Sequence, residues 1–229
     1  MLKIYGAPIS VHTRKVIVAT LLKRLPHEVI PVVPVIPSSL PPNWRQLSPT
    51  GRIPVLADED FLLPDSAAIC AYLDDKHPQA SIYPQGLRDR AQALWLEQYA
   101  GGTVFCDVVQ PLFHELVVNP KIKQIPPDRG RVDEVLGTVV PQVFDYLNAM
   151  AGDSYFAGSA LSIADLAVVS NLINFKYIGF DIARARYPKL AGLFDRVIRV
   201  PEVTAALQGE QPAVQQMGLK SAFLDAVLA

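Results

Sequence analysis

Apolar positions in the first 78 residues recur at two different periods. In "LKIY" (2–5), "HEVIPVV" (27–33), "PVLA" and "FLLP" they form short runs bounded by Gly, Pro or acidic residues, which predicts strands. In "VHTRKVIVATLLKRL" (11–25), Val11, Val16, Ala19 and Leu22 follow a helical spacing, with cations near the end. "SAAICAYLDDKH" (66–77) puts Ile69, Cys70 and Leu73 on one side of a second helix, stopped before Pro78. Residues 34–50 are rich in Pro and Ser and carry at most one helical turn around Trp44–Leu47. Asp58-Glu59-Asp60, between the last two apolar runs, marks a hairpin. The order predicts a parallel strand pair joined by a right-handed helical crossover, then two antiparallel strands completing a mixed sheet.

From Leu87 the strand pattern ends. Amphipathic helices are predicted over 87–118, 130–150, 162–177 and 187–199, with a shorter one at 201–208. "HPQASIYPQG" (77–86), with two prolines and a glycine, reads as a linker. The chain therefore divides into an α/β domain over 1–78 and an all-helical domain over 87–229. Ser162-x-x-Asp165, flanked by Leu161 and Leu166, is a capping box with a hydrophobic staple, a folding signal and not a ligand site.

Composition narrows the function classes. Half of the 229 residues are hydrophobic and 19% are charged, with a formal net charge of -1 and no long run of one sign. No overall field draws the chain to nucleic acid or to an anionic membrane. Cys70 and Cys106 form no CxxC pair, and His12, His27, His77 and His114 make no HxxxH or HExxH pattern, so no metal is expected. Cys70 reads as a small core residue. The start "MLKIYGAPIS" has no long apolar core, and no stretch reaches the ~18 apolar residues of a membrane span, so a cytoplasmic protein is expected.

Four stretches, in their order and spacing, carry a family likeness: "YGAPISVHTRKV", "GRIPVL", "PDSAAICAYL" and "LSIADLAV". With them the whole chain resembles a cytosolic glutathione S-transferase, and "APISVHTRKV" resembles the serine-type theta and phi classes, with Ser10 four residues before Arg14. The resemblance implies a thioredoxin-like domain joined to a helical one, glutathione as co-substrate, no metal, and a homodimer in the cytoplasm. It makes the Ile53–Pro54 bond cis, so that the backbone of Ile53 pairs with the cysteinyl part of glutathione as one more strand would.

A helix start leaves several N–H groups unpaired beside a partial positive charge. Asp65-Ser66 sits at such a start, where either residue can simply cap its own helix. On the family pattern Ser66 holds the γ-glutamyl carboxylate and Asp65 attracts the ammonium. Ser10 likewise has a capping role open to it. The resemblance adds donation of its hydroxyl to the glutathione sulfur, favouring the thiolate. Neither Ala7 nor Ile9 is a cysteine, which disfavours a mixed-disulfide mechanism.

Serine-type classes place a His or Lys upstream of the cis-proline for the glycine carboxylate. "VIPSSLPPNWRQLSPTGR" has neither, which leaves Arg52, Arg45, Asn43 and Trp44 as candidates. Gln110, Phe113, His114 and Tyr177 are the expected electrophile pocket, on helices that face the sulfur in this family. The leading expectation is a transferase attacking hydrophobic electrophiles. The alternatives are a glutathione-dependent peroxidase, disulfide reductase or isomerase on the same site, or a non-catalytic glutathione-binding or assembly module.

Overall fold

The computed structural model describes residues 1–228. Four strands, β1 (Leu2–Tyr5), β2 (His27–Ile30), β3 (Val55–Asp58) and β4 (Phe61–Pro64), form one sheet in the order β2-β1-β3-β4. β1 runs parallel to β2 and antiparallel to β3, with Ile4 opposite both Val29 and Leu56. β3 and β4 make the expected hairpin, turning at Glu59, whose φ of 57° is left-handed. β2 stops three residues short of the expected end. Pro31 follows Ile30 and has no N–H to continue the ladder.

Helix α1 (Val11–Leu22) is the crossover between β1 and β2, α2 (Trp44–Leu47) is the single turn in the Pro-rich loop, and α3 (Ser66–Lys76) closes the α/β unit. Ile4, Val16, Leu56, Ile69 and Leu73 are among the side chains filling the core between sheet and helices. The 77–86 segment is packed, not loose. Asp74 accepts from the Ile82 N–H at 3.0 Å and Ser81 Oγ at 2.7 Å, and pairs with Lys23 at 2.7 Å.

The rest is helical: α4 (Leu87–Tyr99), α5 (Gln110–Phe113), α6 (Arg129–Glu134), α7 (Val140–Met150), α8 (Ile163–Tyr177), α9 (Pro188–Val197), α10 (Pro201–Gln216) and α11 (Asp225–Leu228). Wider π-type turns join α4 to α5 over Ala100–Val109 and extend α5 over His114–Lys123, past the expected end at 118. α8 is buried nearly throughout and starts at the Ser162–Asp165 capping box. Asp165 accepts from the Ser162 N–H at 2.8 Å and the Phe156 N–H at 2.9 Å.

α10 runs eight residues beyond the expected end at 208, through Gly209 and Pro212. Local propensity argues for a stop there. Tertiary burial of Glu210 and Val214 overrides it. No described helix is long and apolar enough to cross a membrane. The observed architecture is the α/β sheet domain plus helical domain that the sequence predicts.

Candidate functional site

Ser10 ends the loop that leaves β1. Its backbone is extended (φ -70°, ψ 131°), its Oγ accepts from the Thr13 N–H at 3.5 Å, and its carbonyl accepts from the Arg14 N–H at 2.8 Å. Ser10 therefore caps α1, and its hydroxyl proton remains to be donated. The loop fits closely on the helix: a Cβ at Gly6 would lie 2.4 Å from Thr13 Oγ1, which only a glycine avoids.

The Ile53–Pro54 bond is cis. Among the described residues, neither the N–H nor the C=O of Ile53 enters a hydrogen bond. Just beyond the β3–β4 hairpin, Asp65 (φ 79°) caps α3, its Oδ1 accepting from the Ala67 N–H at 2.8 Å and the Ala68 N–H at 3.1 Å. Ser66 is buried, with its Oγ 3.5 Å from His12 Nδ1. That contact joins the first turn of α1 to the first residue of α3. Two positive helix ends thus converge beside an unpaired stretch of backbone, an arrangement suited to anions and to an extended peptide.

The opposite side of α1 is clamped by the helical domain. Arg14 is fully buried and grips Glu210 of α10 with two bonds, Nε–Oε1 at 2.5 Å and Nη2–Oε2 at 2.8 Å. Its Nη1 donates to the Ser170 carbonyl at 2.8 Å, and its Nη2 donates to Asn174 Oδ1 at 2.9 Å. The Ile9 carbonyl, one residue before Ser10, accepts from Arg14 Nη2 at 3.3 Å and from Asn174 Nδ2 at 3.0 Å. Burial works against charge on both partners. The Glu210 carboxylate more than offsets this for Arg14, which is held above its usual range, and the bidentate geometry marks the pair as ionised. Next to it, Lys15 pairs with buried Glu97 of α4 at 2.7 Å, and Glu97 also accepts from the Tyr83 hydroxyl at 3.2 Å.

Comparison with known proteins places the chain in a family. A model of the glutathione S-transferase N-terminal domain matches residues 4–81, and one of the C-terminal domain matches residues 112–210. The chain belongs to the glutathione S-transferase family. A glutathione S-transferase of Triticum aestivum is 28% identical over 212 residues, covering 91% of this chain and 94% of the relative. A maleylacetoacetate isomerase of Dictyostelium discoideum is 27% identical over 173 residues, covering 74% of this chain and 75% of the relative. The crystal structure of a glutathione S-transferase from Rhodospirillum rubrum F11 superposes with a TM-score of 0.80 at 25% identity, covering 90% of this chain and 92% of that one.

Within this transferase frame the sequence-expected residues fall in different places. Ser10, Asp65 and Ser66 lie at the two helix starts, and Ile53 and Pro54 lie just before β3, between them in the chain. Arg52 is exposed and makes no ion pair among the described residues, and its charge is one of those felt by His12. Of the other carboxylate candidates, Arg45 turns toward the Pro49 carbonyl, Trp44 is buried with its Nε1 donating to the Gly51 carbonyl at 3.4 Å, and Asn43 is exposed. Gln110 is exposed and Phe113 half-buried, while His114 is engaged by Lys123 at 2.9 Å.

Tyr177 is a correction. Only 1% exposed, it cannot line an open pocket; its hydroxyl donates to Glu210 at 3.3 Å and its ring lies under Arg14. The aromatic that does reach the site is Phe105, meeting the His12 ring edge-on at a centroid distance of 4.5 Å. In the sequence His12 belongs to no histidine pattern. Burial, then Lys15, lower its pKa to about 4, so it is neutral at physiological pH. Its partner Ser66 is 54 residues away, and no local pattern links the two.

Proposed function

We propose that this family member binds glutathione and activates its thiol beside Ser10 for attack on a hydrophobic electrophile. The observation that carries the reading is the open Ile53 backbone at a cis-proline, flanked by the starts of α1 and α3. A tripeptide with an anionic head fits such a groove: its cysteinyl amide pairs with Ile53, its γ-glutamyl carboxylate with Ser66, and its ammonium with the Asp65 carboxylate. Asp65 takes both capping bonds on Oδ1, which leaves Oδ2 for that ammonium. Arg52 is the cation offered to the glycine carboxylate.

A free thiol has a pKa of ~8.5 and is mostly protonated at neutral pH. The Ser10 hydroxyl donating to sulfur, with the positive end of α1 behind it, lowers that value and stabilises the thiolate. Ser10 keeps its own proton, and no base is required. The remaining rate enhancement comes from holding the two reactants together. Phe105 and the adjoining helical-domain wall, with Gln110 and Phe113 on the same stretch, offer the apolar side for the electrophile.

The test is glutathione-agarose retention followed by conjugation of a chloronitrobenzene. Ser10→Ala is expected to cut turnover by about tenfold or more, the scale of one charge-assisted hydrogen bond, while glutathione is still retained. Wild-type rates in Ser10→Ala across substrates would reduce Ser10 to a helix cap. The isomerase relative supports a second reading, glutathione-assisted cis–trans isomerisation on the same site. Turnover of a conjugated cis-alkene diacid without consumption of glutathione would favour it.

A further inference from the structure

The hydroxyl of Ser66 has one side-chain neighbour in hydrogen-bond range among the described residues, His12 Nδ1 at 3.5 Å. We propose that His12 is a positioning residue for the amino-acid head of glutathione, its Nδ1–H donating to Ser66 Oγ so that the Ser66 proton is turned toward the ligand's α-carboxylate. This inference rests on the glutathione reading above and adds a residue and a tautomer to it.

A hydroxyl has one proton and two acceptor sites, so the two possible hydrogen-bond directions exclude each other. If His12 accepted at Nδ1, the Ser66 proton would face the imidazole and the carboxylate would meet lone pairs. A carboxylate is the strongest acceptor in such a site and takes the proton, which leaves Nδ1 to donate. The neighbourhood supports a neutral ring with a fixed tautomer. Burial, Lys15 on the next turn and Arg52 disfavour the imidazolium, with Asp65 opposing them. The ring is packed against Phe105, which meets it edge-on with a centroid distance of 4.5 Å and an interplanar angle of 69°. His12 thus ties the glutamyl subsite of one domain to an aromatic wall of the other. At 3.5 Å the contact is long, as such bonds often are before a ligand draws them in.

The experiment is calorimetric titration with glutathione and with an analogue whose γ-glutamyl α-carboxylate is a carboxamide. His12→Ala is expected to weaken glutathione about tenfold and the carboxamide by less than about twofold, with KM for glutathione rising more than kcat falls. His12→Asn, which restores an N–H near Nδ1, is expected to recover glutathione affinity to within about threefold of wild type. In a Ser66→Ala background, His12→Ala is expected to add nothing further. Unchanged affinity in His12→Ala, equal losses for both ligands, or additive losses with Ser66→Ala would each overturn the inference while leaving the glutathione reading standing. A wild-type protein that binds neither ligand overturns the reading and the inference together.

Discussion

At Ser10 one oxygen accepts from the Thr13 N–H and still has a proton to give, so capping and the proposed activation of a thiol do not compete. His12 is the residue whose chemistry most depends on its surroundings. Its pKa is lowered from 6.5 to about 4, chiefly by burial and then by Lys15 on α1, with Asp65 at the start of α3 pulling the other way and the loop cation Arg52 adding to the lowering. Between those two values the unfolded chain binds more protons than the folded one, so stability rises with pH across the window and is lost as pH falls. Denaturant midpoints measured at pH 4.5 and pH 7 are expected to differ less in His12→Asn than in wild type. An identical pH dependence in the two proteins would mean that His12 is not held neutral by the fold.

Among the elements, α10 shows most clearly what packing can impose. Gly209 and Pro212 are poor helix formers, and the sequence pattern ends the helix at 208, yet it continues to Gln216. The missing signal was Glu210. A glutamate beside a glycine reads as a solvated end, and its partner Arg14 lies 196 positions earlier. Glu210→Ala would leave Arg14 buried without its counter-ion, an expected loss of about 3–5 kcal/mol in equilibrium unfolding. Arg14→Met combined with Glu210→Leu is expected to recover much of that stability while leaving the Ile9 carbonyl with Asn174 as its one side-chain donor among the described residues. If Glu210→Ala unfolds like wild type, the pair does not hold α10 in place.

On the scale of the whole molecule, the two domains meet along α1, which offers the start of its first turn to the site and Arg14 and Lys15 to the helical domain. Both cations are buried in that junction, so movement between the domains would expose or unpair charge. Each domain also carries exposed apolar side chains: Phe61 (45% exposed) and Leu62 on the edge strand β4, and Leu94 and Trp95 (52%) on α4. An open strand edge and exposed aromatic groups favour pairing with a second copy, the homodimer that the family resemblance implies. Phe61→Asp is expected to shift the protein toward monomer in analytical ultracentrifugation. A monomeric wild type at the same concentration would remove the proposal.

The strands and helices of the α/β unit in their chain order, the hairpin at Glu59, the α3 start and the capping box of α8 were all legible in the sequence, because each depends on neighbours a few residues apart. The residues of the proposed glutathione site could be offered as candidates for the same reason: Ser10, Ile53-Pro54 and Asp65-Ser66 each belong to a local motif at the edge of an element. Tertiary structure alone decided the contacts made across long separations. It took Tyr177 out of any pocket and into the Arg14–Glu210 cluster, carried α10 past its glycine and proline, and brought His12 between Ser66 and Phe105. Periodicity reports which face of an element is buried, but not which buried partner it meets. At this site the partners fix the charge of His12 and the loop that holds Ser10.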